Sequence, residues 1–97
     1  MNALERRIKE FLDNNYDCRL MLKIDNDFKV YNNNDEILPA LVDRFNWFSI
    51  DNVDEKFNNN PLALFEYCLD ENDFGAICTL YYESGGDFCK EILPCDS

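Results

Sequence analysis

The sequence predicts a small α+β domain with a mainly antiparallel sheet, and three observations predict it. Apolar residues recur at helical spacing over residues 4–12 and 38–45. At 18–24 the period falls to two, and 75–82 is rich in aliphatic, Thr and aromatic residues. Turn-forming segments at 25–27 and 84–87 join these runs to further apolar stretches, as hairpin loops do. The expected order is N-terminal helix, β-hairpin, central helices and C-terminal β-hairpin, in a single acidic domain over residues 1–97.

Leu4, Ile8, Phe11 and Leu12 form the first helical stripe, which predicts a helix from Ala3 to Asp13 stopped by Asn14 and Asn15. Next, Cys18, Leu20, Leu22 and Ile24 share one face of a strand, and Arg19, Met21, Lys23 and Asp25 the other. Phe28 and Val30 follow the turn. Pairing Ile24 with Phe28 and Leu22 with Val30 keeps the apolar face together. That register requires a three-residue loop at 25–27 and a hairpin of about 17–24 with 28–31.

Leu38, Leu41, Val42 and Phe45 predict the second helix. Proline is tolerated in a first turn, so Pro39 places the start near Ile37. Residues 51–55 can cap a short helical turn around 52–57. Residues 61–70 fit two patterns: Leu62, Phe65, Cys68 and Leu69 suit a helix, whereas Ala63, Phe65, Tyr67 and Leu69 alternate as in a strand. The pair Asn60-Pro61, good at N-cap and N1, favours the helix. The run 75–82, the turn 84–87 and the stretch 88–93 then read as a second hairpin, ended by Pro94.

A chain of 97 residues that is 46% hydrophobic, with 14% aromatics, suits one modest core rather than a disordered acidic tail. No apolar run is long enough for a transmembrane helix. The opening MNALERRIKE carries charges where a signal peptide needs its apolar stretch, so a cytoplasmic location is expected. Five cysteines (18, 68, 78, 89 and 95), with no C-x-x-C and no histidine, read as reduced thiols, most of them buried. Asn-rich runs such as 32–34 and 58–60, with abundant Lys, Asp, Ile and Phe, are common in AT-rich genomes.

Chemistry is hard to place on this chain. A calcium loop starting at Asp70 finds Asn72 and Gly75 where they belong, but Phe74 and Tyr81 at ligand positions five and twelve. A loop starting at Asp25 puts Lys29 and Val30 at positions five and six. The stretch from Asp70 to Asp73 is more simply a polar turn. A zinc site wants tight Cys/His pairs, and the closest cysteines here are Cys89/Cys95 and Cys68/Cys78. Without histidine the commonest general base is missing, and no nucleophile has an activating partner at a useful spacing. With three glycines there is no phosphate-binding loop, and Asp73-Phe74-Gly75 lacks every other kinase element. A protein that binds rather than catalyses, with no cofactor and no metal, is expected.

Charge is the strongest signal. Nine basic residues stand against twenty acidic, a net of −11. Residues 1–45 hold seven cations and nine carboxylates, whereas 46–97 hold two cations and eleven carboxylates. Such a half repels nucleic acid and anionic membrane and attracts a basic protein surface. Proteins that grip DNA line a groove with Lys and Arg, and a rigid acidic face can occupy it. The candidate face comprises Asp51, Asp54, Glu55, Glu66, Asp70, Glu71, Asp73, Glu83 and Asp87. Trp47, Tyr67, Tyr81 and Tyr82 are the candidate aromatic anchors.

In size, acidity and lack of catalytic residues, the chain resembles the phage-encoded inhibitors that block bacterial defence nucleases, anti-CRISPR proteins among them. The likeness lies in general properties, carries no motif and transfers no residue. It implies an inhibitor that occupies the nucleic-acid-binding surface of its target, acting in the host cytoplasm. Two alternatives share the composition. An immunity protein that neutralises a toxin nuclease would present the same acidic face to one cognate partner. A non-catalytic adaptor would be acidic only for solubility, and would show an exposed apolar patch with its carboxylates spread evenly.

Overall fold

The structure, a computed structural model, describes residues 1–91. Helix α1 (Ala3–Asn15) is followed by the hairpin β1 (Leu20–Ile24) and β2 (Asp27–Tyr31). Helices α2 (Asn34–Ser49) and α3 (Pro61–Asp70) come next, then the hairpin β3 (Thr79–Ser84) and β4 (Asp87–Lys90). The four strands form one antiparallel sheet in the order β2-β1-β3-β4. This is the α+β architecture expected from the sequence, and residues 61–70 are helical. No helix of the described residues is long and apolar enough to cross a membrane.

One face of the sheet, through Leu20, Leu22 and Leu80, meets the helices. Against it stand Leu4, Ile8, Phe11 and Leu12 of α1, Ile37, Leu38, Leu41 and Phe45 of α2, and Leu64, Phe65 and Cys68 of α3. At the centre the Phe65 ring lies 5.1 Å from Phe45, 5.8 Å from Phe11 and 6.4 Å from Phe74. These aromatic packings stabilise beyond area burial alone.

The helix ends are set by asparagines. The Asn2 side chain accepts the Glu5 N–H at 2.9 Å to start α1. At the other end Asn15 donates to the Phe11 carbonyl at 2.7 Å, so α1 continues two residues beyond Asp13. Helix α2 begins at Asn34, not near Ile37, and Pro39 lies inside it. A reciprocal cap explains the early start: the Asn33 side chain accepts the Glu36 N–H at 3.0 Å, and the Glu36 carboxylate accepts the Asn32 N–H at 2.9 Å. Pro39 leaves the Asp35 carbonyl without its helical donor, but both residues are exposed and water can serve instead. The short helical turn expected around 52–57 lies at 54–58, where Phe57 and Asn58 both donate to the Asp54 carbonyl.

The first hairpin departs from the expected register. Its loop has two residues, Asp25 and Asn26, and it pairs Lys23 with Phe28 and Met21 with Val30. Asp25 takes a φ of 55°, the left-handed twist that two-residue hairpin loops need in their first position. Local turn geometry therefore prevails over burial of two side chains, and Phe28 and Val30 face away from the helices. Phe28 is partly shielded by Tyr81, 6.3 Å away across the sheet, and by the Lys23 ammonium at 5.5 Å. In the second hairpin, β3 starts at Thr79, after a turn over 75–77. Gly85 and Gly86, with φ of 61° and 89°, form its loop. Pro94 and the rest of that predicted strand beyond Glu91 lie outside the described residues.

Candidate protein-binding surface

The thirteen residues of the predicted face fall into two groups. One belongs to α3 and the segments beside it, the other to the β3–β4 hairpin. On α3, Leu64, Phe65 and Cys68 point into the core, which turns Glu66, Tyr67 and Asp70 outward on one stripe. Tyr67 is 47% exposed, and its ring packs 5.1 Å from Phe57 of the preceding loop. Glu66 is not free, because Arg7 of α1 forms an ion pair with it.

Glu71 and Asp73 continue past the helix end in a defined turn. Asn72 donates to the Leu69 carbonyl at 3.2 Å and Asp73 to the Cys68 carbonyl at 3.0 Å, the paired bonds of a Schellman motif. Asn72 is the left-handed residue this motif requires, at φ 58°. The Asp73 carboxylate then accepts the Gly75 N–H at 2.8 Å. The stretch is thus a helix-terminating turn, and it fixes Asp70, Glu71 and Asp73 in place. Asn72→Gly is expected to raise stability by a few tenths of a kcal/mol, and Asn72→Val to lower it by about 1–2 kcal/mol. Urea denaturation of the two variants checks both signs.

The placement of these carboxylates has an energetic consequence. A helix C-terminus carries partial negative charge and favours cations. The last turn of α3 has no basic residue, and Asp70, Glu71 and Asp73 gather there instead. None of Asp51, Glu55, Asp70, Glu71, Asp73 or Asp87 has an ion-pair partner among the described residues. Lys90 lines an open groove of about 640 Å³ with Glu71, Asp73 and Glu91 but forms no ion pair with them.

The α2–α3 loop supplies the rest of the first group. Its base is the buried Ser49, whose carbonyl accepts N–H bonds from Asn52 at 3.3 Å and Asn59 at 2.7 Å. The Asp54 carboxylate is spent on the loop itself, accepting the Lys56 N–H at 3.0 Å, whereas Asp51 and Glu55 are exposed. Trp47, 63% exposed, shares a shallow groove of about 420 Å³ with Ile50, Asp51 and Val53. Arg44 holds this end of α2 together. Its guanidinium lies 4.9 Å from the Trp47 ring and 4.5 Å from Phe48, and it donates to the Ile77 carbonyl at 2.7 Å.

The second group lies on the β3–β4 hairpin. Glu83 is tied to Arg19, whose guanidinium holds its carboxyl below the usual carboxylate range. Tyr82 faces the core and stacks on Tyr16 at 6.2 Å, so it is not an available anchor. Tyr81 lies on the opposite face, beside Phe28, and Asp87 sits at the turn. Ile50, Val53 and Phe28 are exposed apolar residues that sequence reasoning assigned to no surface. The spacing of Arg44, Trp47 and Phe48 at i, i+3 and i+4 was the one signal of the stacked cluster.

Among the described cysteines, Cys68 and Cys78 are buried and Cys18 and Cys89 half-buried, all as free thiols. Burial pushes the Cys68 thiol up to about 11, helped by nearby Asp73. Burial, with Cys68 as neighbour, pushes Cys78 up to about 12. Thiols held this far above neutral are poor nucleophiles. Iodoacetamide at pH 8 is expected to modify Cys18 and Cys89 in the folded protein, and Cys68 and Cys78 only after denaturation; peptide mass mapping reads the sites. No group of three or more potential metal-ligating side chains forms among the described residues.

Comparison with protein-family models, curated proteins and solved structures finds no match to this chain.

Proposed function

We propose that this protein is a small acidic inhibitor that binds a target protein on a basic surface otherwise occupied by nucleic acid. The observation that carries this reading is the cluster Asp70, Glu71 and Asp73 at the C-terminal end of α3, where the helix dipole disfavours it and no described cation pairs with it. Residues kept at a cost to stability are candidates for function. Tyr67 and Trp47 supply exposed aromatic surface near the carboxylates of their own segments, Asp70 for the first and Asp51 for the second. Charge would speed capture of the target, and the aromatic contacts would slow release. The working face is therefore narrower than the predicted one: Glu66, Glu83, Asp54 and Tyr82 have roles within the fold. The reading matches what phage-encoded inhibitors of defence nucleases do. An immunity protein against a toxin nuclease would use the same face on a single cognate partner.

A second reading, a non-catalytic adaptor, is favoured by the exposed apolar cluster of Trp47, Ile50 and Val53. Affinity capture from a nuclease-treated bacterial lysate separates the two, with the tagged chain as bait and a salt gradient for elution. The inhibitor reading expects a nucleic-acid-handling protein released as salt rises. A partner that resists salt and handles no nucleic acid would favour the adaptor.

A further inference from the structure

Among the described residues no strand pairs with the outer edge of β2, and the sequence of this strand is complementary to itself. With a two-residue loop, Ile24 and Asp27 form the hydrogen-bonded pair that closes the hairpin. Alternation then makes Lys23–Phe28 and Met21–Val30 non-hydrogen-bonded pairs, so the N–H and C=O groups of Phe28 and Val30 point to the open edge. Phe28 is also 57% exposed. Two chains of net charge −11 repel one another over most of their surfaces. The β1–β2 hairpin is exempt from this: residues 20–31 hold two cations (Lys23, Lys29) and two carboxylates (Asp25, Asp27), no net charge.

We propose that the β2 edge pairs with the β2 edge of a second copy, antiparallel, about a twofold axis at Phe28. Registers centred on a residue keep the helices of both copies on one side, and those centred on the three interior residues of β2 pair the most strand. Centring on Lys29 sets the two lysines directly opposite, which is repulsive. Centring on Val30 sets Phe28 opposite Asn32, whose N–H is already bound to the Glu36 carboxylate. Centring on Phe28 sets Asp27 opposite the second copy's Lys29, twice, in close non-hydrogen-bonded pairs. It also places the two Phe28 rings side by side on the face away from the helices. The contact is isologous and closed, so it stops at a dimer. Its small area places it among weak associations.

Sedimentation equilibrium of the whole chain, under reducing conditions and from about 10 µM to 1 mM, tests this in the range expected of a small interface. The mass is expected to rise towards twice that of the monomer. Lys29→Glu, which sets carboxylates opposite each other, is expected to keep the chain monomeric throughout. The double variant Asp27→Lys/Lys29→Glu restores the pair at unchanged net charge and is expected to restore the dimer. Thermal melts, expected to change little at these exposed positions, show that each variant is folded. A wild-type chain monomeric throughout, a Lys29→Glu dimer, or a double variant that stays monomeric would each overturn the proposal.

Discussion

Phe65→Ala is expected to destabilise the protein by about 3–5 kcal/mol, the range for truncating a buried aromatic. Phe65 has no solvent exposure, and the rings of Phe11, Phe45 and Phe74 surround it. Two of those rings belong to the other two helices, so one truncation loosens α1, α2 and α3 together. A domain of this size is stable by about 5–15 kcal/mol, so the variant should lose a large share of its stability. Urea denaturation followed by circular dichroism gives the shift in midpoint. Phe65→Leu leaves most of the volume filled and should cost under about 1.5 kcal/mol. Equal losses for both variants would mean that ring packing is not what holds the three helices together.

The second large effect concerns the carboxylates at the end of α3. The triple variant Asp70→Lys, Glu71→Lys, Asp73→Asn keeps the acceptor that Asp73 offers to the Gly75 N–H. It also replaces two unfavourable charges at a helix C-terminus by two favourable ones. With each such interaction contributing about 0.3–1 kcal/mol, stability should rise by roughly 1–2 kcal/mol. Binding to the captured partner should fall by about tenfold or more, and its salt dependence should flatten. Opposite signs for stability and binding are the signature of residues kept for function. A variant both more stable and equally tight in binding would remove this cluster from the interface.

How much of this was legible in the sequence depended on which forces were local. The stripes Leu4, Ile8, Phe11, Leu12 and Leu38, Leu41, Phe45 marked helices because burial imposes a 3.6-residue period on them. Asn60-Pro61 decided the ambiguous third helix through the chemistry of its first turn. The apolar pattern points to the wrong hairpin register because Phe28 and Val30 are exposed, and the Asp25-Asn26 loop settles the pairing. Pro39 misplaced the start of α2 because the cap formed by Asn33 and Glu36 outweighs one lost hydrogen bond. The surface was legible only in its sign. Arg7 and Arg19 are far in sequence from Glu66 and Glu83, so nothing local revealed that these carboxylates are already partnered. Ile50 and Val53 carry no pattern that separates an exposed apolar loop from a buried one. That Tyr82 faces the core and Tyr81 does not became visible only once the pairing of β1 with β3 was known.

In the proposed function, this protein and nucleic acid compete for one surface of the target. The direct measurement is a competition titration, in which fluorescently labelled duplex DNA bound to the purified target is displaced by increasing amounts of the protein. The expected result is complete displacement, with the triple α3 variant shifted to higher concentration. A stable ternary complex of target, DNA and protein would contradict the account.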